Sequence, residues 1–575
     1  MSVVTVPPAR PRKYLPAELA LTDWASVEPY FKELQDRLLS TPEDLSRWIL
    51  DRSELEAVVS EELAWRYIAM TVNTADEQAI RNYQEAVKEI SPKLSVAENA
   101  LNRKLVESPF SDRLDPDRFA IYLREVRKDI ELFREENIPL QTDIQLKAQE
   151  YGTIFSNMTI RHGEQDLTLQ QASTLLEETD RSVREKVYRQ INERIGQDAD
   201  KLEQLFEDLV QLRHQVGRNA GFDNYRDYKF RSLGRFDYTV QDCLDFHEAI
   251  EKTILPLEEE LNRHARRQLG VDALRPWDLA VDWSGKPPLR PFGKVDELIE
   301  RSIDCLARLD PSFGESLAIL QEMGHLDLDS RPAKSPGGYN MPLHFTGVPF
   351  IFMNASQSIR DVQTLMHETG HAVHSLLTRE YELNSAKQPT PEIAELASMT
   401  MELLTMDYWD AFFDKPEDLR RARFKQLESV IKALPWIAAI DSFQHWIYTH
   451  PGEGIVKRRE AWWNVYHRFA SKEVDRSGLE DYTRALWVKQ LHLYEVPFYY
   501  IEYGMAQLGA IAIWMRYREE PEAAIADFTA ALRLGYTRPI GEIYERAGIQ
   551  FDFSVEQVRK LGAFIQEELN QLIGS

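Results

Sequence analysis

The sequence predicts a mainly α-helical protein in which two helical lobes enclose a deep channel, with a small β-sheet beside one central helix. Most segments place apolar residues three and four apart among Glu, Arg and Ala, which is typical of amphipathic helices; residues 116–136, 181–215 and 240–269 are examples. Only a few short stretches carry the features of strands. With 575 residues, 43% of them hydrophobic, the chain is long enough to form more than one lobe.

Local patterns predict a division of the chain near residue 180. Residues 1–20 are rich in Pro and cations, and they predict a tail ahead of an N-terminal helical lobe over residues 21–180. Residues 158–169 predict a β-hairpin around Gly163, after which the helical pattern resumes. We therefore expect residues 181–575 to form a second lobe, which contains every candidate functional residue named below.

Two short stretches of the second lobe predict its small sheet. Residues 338–341 and 348–354 have the composition of strands, and the preceding residues 331–338 predict a loop. A small sheet with a free edge can bind an extended peptide by strand addition. A purely structural hairpin is the alternative, and the two interpretations are compatible.

The composition argues against several classes of partner. The chain has 69 Lys and Arg against 94 Asp and Glu, and the net charge of −25 argues against nucleic-acid binding. Cys243 and Cys305 are the only cysteines, so neither a disulfide framework nor a thiol-only zinc site is expected. Because the sequence shows no apolar run of about 18 residues and no secretory signal, we expect a cytoplasmic protein without a membrane partner.

Residues 367–371, His-Glu-Thr-Gly-His, form the most informative motif. Two histidines four residues apart lie on one face of a helix, where both imidazoles can bind a single zinc ion, and Glu368 can activate a water beside it. The helix itself is predicted by an apolar stripe at Val362, Met366, Thr369, Val373 and Leu376. Gly370 costs about 1 kcal/mol in a helix relative to Ala, so we expect another segment to pack closely there.

His374 lies on the same face as the two motif histidines. Three ligands in line on one helix fit poorly around a tetrahedral ion. We therefore predict that His374 supports the site or packs beside it, and does not bind the metal.

A third ligand is predicted on the next helix. Thr390 and Pro391 resemble a helix start, and the pattern continues to about Trp409. Glu395 and Glu402 are two turns apart on a largely apolar face, where carboxylates need partners. Glu395 is the candidate ligand, and Glu402 is the candidate acceptor for a ligand histidine; ordinary surface glutamates are the alternative. Glu392 lies in the first turn of this helix, where the helix dipole favours a carboxylate, and this accounts for a glutamate at that position.

Three separated motifs together resemble a known family of zinc oligopeptidases. They are residues 367–374, the run 395–398 with Glu402, and residues 492–503. The family includes thimet oligopeptidase and, more similar to this chain, oligoendopeptidase F and the Pz peptidases. Weaker similarities occur at residues 337–339 and 233–235. The resemblance covers residues 180–570 and, more loosely, the whole chain.

The resemblance implies one zinc ion per chain, bound by His367, His371 and Glu395, with Glu368 as general base. It also implies that His492 and two tyrosines hold the substrate carbonyl. The family's Tyr-x-x-Tyr spacing selects Tyr500 and Tyr503, although the adjacent Tyr499 leaves open which of the three contact the substrate. From the aromatic run itself we expect Tyr499 to be a core residue. Pro497 would start the helix that projects these two tyrosines together. The resemblance further assigns Gly337, Gly338 and Tyr339 to substrate binding at the sheet edge.

The sequence therefore predicts a zinc-dependent endopeptidase that cuts internal bonds of short, unfolded oligopeptides. A carboxypeptidase or dipeptidyl carboxypeptidase of related helical fold is one alternative, and it would need a cation to hold the C-terminal carboxylate of its substrate. A catalytically inactive peptide-binding protein is another, although a base at position 368 has no use in a non-enzyme. The sequence makes no prediction of the oligomeric state.

Overall fold

The computed structural model describes residues 5–335 and 337–574, and the fold is 70% helical with two small sheets. Its α-helices in chain order are α1 (Trp24–Asp36), α2 (Pro42–Val72), α3 (Glu77–Glu85), α4 (Ser91–Glu107), α5 (Pro116–Leu132), α6 (Asn137–Ser156), α7 (Leu169–Thr174), α8 (Arg181–Asn219), α9 (Tyr225–Ser232), α10 (Val240–Ala249), α11 (Leu255–Leu269), α12 (Val295–Leu309), α13 (Pro311–Glu322), α14 (Ile359–Thr378), α15 (Pro391–Thr405), α16 (Pro416–Thr449), α17 (Gly454–Phe469), α18 (Glu480–Arg484), α19 (Leu491–Glu495), α20 (Tyr500–Glu519), α21 (Pro521–Arg533), α22 (Ile540–Arg546) and α23 (Val555–Gly574). Its strands are β1 (Thr159–His162), β2 (Gln165–Thr168), β3 (Leu326–Asp329), β4 (Tyr339–Met341) and β5 (Phe350–Ala355).

The mainly helical class predicted from the sequence is confirmed. The predicted helices are present, with differences at their ends and one internal irregularity. The helix expected over residues 240–269 is interrupted by a π-helical turn at Ile250–Ile254, which joins α10 to α11. No helix in the described ranges combines the length and the apolar character that a membrane crossing requires.

The sheets are small and lie at the ends of long helices. β1 and β2 form the predicted antiparallel hairpin. In the second sheet β5 is central, pairing in parallel with β3 on one side and antiparallel with β4 on the other, with Tyr339 opposite Phe352. β3 was not expected from the sequence. Among the described residues no strand pairs with the other side of β4, which is therefore an edge strand whose backbone can take a further partner.

Buried apolar side chains form two large clusters. The first is built mainly from α1, α2, α4 and α5, and the second extends from α5 and α6 to α23. A third, small cluster joins Ala64 and Ile68 of α2 to Phe350 and Phe352 of β5. The small sheet therefore contacts both helical regions. The predicted division near residue 180 stays a prediction.

Close packing of α14 against α15 positions the helix that carries the His-Glu-Thr-Gly-His motif. α15 lies between α14 and α20. A Cβ atom on Gly370 would lie 2.5 Å from the Cα of Ser398 and 2.7 Å from the carbonyl oxygen of Ala397. Real side chains do not approach a backbone so closely, so only glycine allows this contact. The expectation that another segment packs closely against Gly370 is confirmed.

We expect Gly370→Ala to push α15 away from α14. Overpacking of this kind costs about 1–3 kcal/mol, and the better helix propensity of Ala offsets only part of it. Urea titration should therefore show a lower free energy of unfolding.

Gly196→Ala is the matched control, because Gly196 lies inside α8 and an added Cβ meets no atom within 4 Å. The free energy of unfolding of that variant should rise by about 0.4–1 kcal/mol. Equal stability of the two variants would contradict the proposed constraint at Gly370.

Candidate metal centre and active site

α14 carries the His-Glu-Thr-Gly-His motif, as predicted. A capping box starts the helix. The Ser358 hydroxyl oxygen accepts from the backbone N–H of Asp361, and the Asp361 carboxylate accepts from the backbone N–H of Ser358. His367 and His371 keep 17% and 18% of their side-chain surface exposed, and their ring centres lie 5.0 Å apart. The two imidazoles are therefore neighbours on an accessible face of an otherwise buried helix.

Glu395 of α15 completes a group of three potential ligands. Its Oε2 lies 3.3 Å from His367 Nε2 and 3.7 Å from His371 Nε2. Each residue offers one ligand atom, and these atoms lie within 4.8 Å of one another. A tetrahedral zinc with bonds of about 2.0–2.2 Å separates its ligand atoms by about 3.3–3.6 Å. The chemistry and spacing of these donors fit that ion.

The charges of this group also suit a cation. The pKa of Glu395 falls to about 2, because contacts with His367, His371 and Tyr499 outweigh the opposing effect of burial. Burial lowers the pKa of His371 to about 4, so this imidazole is neutral near pH 7 and has a lone pair to donate. An anionic carboxylate and a neutral imidazole are the protonation states that metal binding requires.

Glu402 orients His367. Its Oε1 lies 2.7 Å from His367 Nδ1, and its Oε2 accepts from Gln426 Nε2 of α16 at 2.8 Å. Burial alone would lower the pKa of His367, but hydrogen bonds to Glu395 and Glu402 raise it well above its usual value. Without a metal, this raised pKa keeps a proton on both ring nitrogens near pH 7. A cation bound at Nε2 would displace that proton and leave Nδ1–H directed at Glu402, which is the arrangement of a ligand histidine.

Glu368 lies between the two histidines in the sequence and is 7% exposed. Burial raises the pKa of its carboxyl to about 7, and the neighbouring His367 opposes that rise. A carboxyl with a pKa near the working pH can both accept and release a proton. The Glu368 carbonyl oxygen accepts from Asn340 Nδ2 at 3.0 Å, which ties β4 to α14.

His492, Tyr500 and Tyr503 come together as one aromatic group. The ring of His492 lies 4.8 Å from that of Tyr500 and 5.6 Å from that of Tyr503. His492 Nδ1 lies 2.8 Å from Gln490 Nε2, and Gln490 Oε1 accepts from Trp436 Nε1 at 3.0 Å. Because the Trp436 indole N–H donates to Oε1 of Gln490, the Gln490 amide N–H is the group directed at Nδ1 of His492. Nδ1 therefore accepts, and the proton of the neutral imidazole is on Nε2. Sequence reasoning did not identify Gln490 or Trp436.

Tyr499 does not behave as the core residue that the sequence suggested. Its hydroxyl donates to Glu395 Oε1 at 2.7 Å, while Ser398 Oγ donates to Oε2 of the same carboxylate at 3.1 Å. Burial, followed by the charge of Glu395, raises the pKa of Tyr499 well above its usual value, so the phenol remains a donor. Tyr499 therefore supports the candidate ligand carboxylate directly.

The turn before α20 also differs from the prediction. Pro497 does not start the helix, because Phe498 adopts φ of +66° and α20 begins at Tyr500. A left-handed conformation is unfavourable for a bulky residue, and surrounding contacts must hold it. The Phe498 carbonyl accepts from Arg235, and its N–H donates to Gln444 Oε1 at 2.6 Å. This turn directs Tyr499 toward Glu395.

The remaining predicted site residues lie around this centre. His374 is buried and contacts the backbone of Leu532, and burial lowers its pKa to about 3. Gly337 and Gly338 are exposed immediately ahead of β4. The ring of Tyr339 stacks on Phe352 at 4.8 Å, and its hydroxyl lies 2.6 Å from Thr71 Oγ1 of α2.

Among the described residues, Cys243, Asp441 and His445 form a second group of possible metal ligands. All three are buried, and Asp441 Oδ2 lies 2.9 Å from His247 Nε2 and 3.1 Å from His445 Nε2. These hydrogen bonds account for the charge of Asp441. A fully buried group offers no access to a peptide, so this cluster is not the candidate active site.

A helical fold with two histidines on one helix and a glutamate on the next defines the metallopeptidase class with the His-Glu-x-x-His motif. The comparisons with known proteins specify the family. The model of peptidase family M3 matches residues 174–562, and that of the M3 N-terminal domain matches residues 16–133. The chain belongs to peptidase family M3.

Individual relatives agree with this assignment. Oligopeptidase PepF of Bacillus subtilis (strain 168) is 24% identical over 57% of this chain, and an oligoendopeptidase F homolog of Mycoplasma pneumoniae is 29% identical over 40%. These matches span 49% and 37% of the two relatives, so the chain aligns with half or less of each. The solved structure of Pz peptidase A with an inhibitor superposes with a TM-score of 0.90 at 26% identity, covering 95% of this chain and 96% of the other.

We expect Tyr499→Phe to weaken metal binding, because Glu395 loses one of its two side-chain donors. Loss of a partner behind a metal ligand typically costs about ten- to one-hundred-fold in affinity. Competition against a zinc chelator measures this directly.

Tyr482→Phe is the matched control, since the Tyr482 hydroxyl bonds Glu193 at an exposed position. Its zinc affinity should equal that of the unmodified protein. If Tyr499→Phe bound zinc as tightly as this control, the phenol would have no role at the metal centre.

Proposed function

We propose that this protein is a zinc-dependent endopeptidase that hydrolyses internal bonds of short, unfolded oligopeptides. The convergence of His367, His371 and Glu395 beside the buried Glu368 carries the proposal. Membership of peptidase family M3 supports it. One zinc ion would be held by these three ligands, leaving a fourth position open for water or substrate.

When bound, zinc polarises the scissile carbonyl and lowers the pKa of a coordinated water. Glu368 takes a proton from the attacking water and delivers it to the leaving amine. Its buried position maintains a pKa near 7, which suits both transfers. Glu402 holds His367 in the tautomer that presents Nε2, with Gln426 holding Glu402 in turn.

His492, Tyr500 and Tyr503 are proposed to stabilise the negative charge that develops on the substrate carbonyl oxygen. Burial raises the pKa of Tyr500 to about 12 and that of Tyr503 well above its usual value, so both phenols stay protonated. Burial lowers the pKa of His492 to about 4, so its ring is neutral and donates through Nε2–H. Donors of this kind are typically worth a hundred- to a thousand-fold in turnover, about 3–4 kcal/mol each.

The substrate is proposed to lie as an extended strand along β4. Gly337 and Gly338 leave the approach to this edge free of side chains, while the Tyr339 hydroxyl is already paired with Thr71. The backbone of β4 is therefore the binding element. Strand addition requires an extended segment, which favours unfolded peptides over folded proteins.

We expect the protein to cut peptides that are blocked at both ends, and a chelator to stop that cleavage. A carboxypeptidase would leave such peptides intact, so mass spectrometry of the products separates these activities. Glu368→Gln should retain zinc in elemental analysis but lose about a hundred- to ten-thousand-fold in kcat, because the proton carrier is gone.

Glu380→Gln serves as the control for this loss of charge, since Glu380 is exposed just beyond α14. It should cleave at the normal rate. Normal cleavage by Glu368→Gln would rule out the proposed general base.

We also expect Glu395→Ala to lose zinc affinity and Glu392→Ala to retain it. Both carboxylates are buried on α15, but Glu392 accepts from Tyr238 and lies outside the ligand group. The two variants lose similar side-chain volume, so their zinc affinities can be compared directly by equilibrium dialysis. Equal losses would mean that the third ligand is elsewhere.

A further inference from the structure

Arg360 lies on the same helical face as the two motif histidines. It is the second residue of α14, and at 3.6 residues per turn it falls within about 20° of both His367 and His371 around the helix axis. Arg360 is exposed, and Gln363 and Thr364, between it and His367, are also partly accessible. The accessible face of α14 thus runs from the metal centre to a cation.

The charge of Arg360 is not used inside the protein. Within the described residues it makes no ion pair and no side-chain hydrogen bond, unlike most arginines of this lobe. Burial raises the pKa of Tyr500 to about 12, and the nearby charge of Arg360 opposes this rise. A cation in the first turn also opposes the helix dipole, so Arg360 does not stabilise α14. Its guanidinium is close enough to Tyr500, a residue of the proposed substrate site, for its charge to act on that phenol.

The packing of β4 on α14 gives the direction of a bound peptide. An added Cβ on Gly338 would lie 3.8 Å from Thr364 Cγ2, and Asn340 binds the carbonyl of Glu368. The step from Gly338, immediately ahead of β4, to Asn340 therefore corresponds to the step from Thr364 to Glu368 along α14, and each step advances by about 6 Å. β4 and α14 thus run in the same direction. A peptide added antiparallel to β4, the slightly more stable pairing, runs from the histidines toward Arg360. Its C-terminal half then approaches this cation.

The distance along α14 gives the length of that half. Arg360 precedes His367 by seven residues, about 10.5 Å of helix, and an extended peptide covers this in about three residues. We propose that Arg360 binds the C-terminal carboxylate of peptides that end about three residues beyond the scissile bond. The guanidinium provides paired N–H donors that match a carboxylate. This inference rests on the proposed peptidase function.

Paired peptides of one sequence test this subsite. Each ends three residues after the cleaved bond, with a free carboxylate in one and an amide in the other. The unmodified protein should cleave the free acid with a kcat/KM about ten- to one-hundred-fold higher, mostly through KM, because the charged hydrogen bonds are lost in the amide. In Arg360→Ala the acid-to-amide ratio should fall to about one, and Arg360→Lys should recover part of it.

Arg559→Ala is the matched control, because Arg559 is an exposed arginine of α23. It should keep the full preference for the free acid. A peptide extended by ten residues beyond the cleaved bond should show no preference in any variant.

An unmodified protein that cleaves acid and amide equally, or an Arg360→Ala variant that keeps the preference, would overturn the inference while leaving the peptidase function intact. Failure of the unmodified protein to cleave any peptide would instead refute the proposed function.

Discussion

The contact between α14 and α15 at Gly370 is the constraint on which the candidate site depends. The two histidines belong to one helix, and their relative position follows from helical geometry alone. Glu395 reaches them only because the backbone at Ala397 and Ser398 lies against the backbone at Gly370. A side chain at this crossing would separate a carboxylate from two imidazoles that it approaches to 3.3 and 3.7 Å.

Around this crossing, neighbouring segments supply hydrogen bonds to the two carboxylates of the candidate site. α16 contributes Gln426 to Glu402, and the turn before α20 contributes Tyr499 to Glu395. A buried carboxylate without such partners would be expensive to ionise. These contacts hold the carboxylates in place, so metal binding at this candidate site would require little reorganisation. This arrangement explains why so many polar groups converge in a largely apolar region.

Regular helical spacing made much of the fold and of the candidate metal centre predictable from the sequence. The placement of His367 and His371 on one face, and of Glu395 and Glu402 on another, follows from 3.6 residues per turn. Tyr499 was assigned incorrectly, because its direction depends on the left-handed turn at Phe498. Arg235 and Gln444 hold that turn from distant parts of the chain, and no local pattern reveals them. β3 was missed because four residues next to a helix carry too little periodic signal.

β4, the strand beside the candidate metal centre, is attached to both α2 and α14. α2 binds β4 through Thr71 at Tyr339, and it binds the segment after β4 through the carboxylate of Glu61, which accepts from the N–H groups of Phe345 and Thr346. The apolar cluster that includes Phe352 of β5 also contains residues of α2. α14 holds the same strand through Asn340. Any movement of α2 away from α14 must therefore break one set of these bonds or pull the strand off the helix that carries the His-Glu-Thr-Gly-His motif. On the proposed function, a peptide paired with this strand edge would bind best while both sets of bonds are intact, and its binding would in turn favour them.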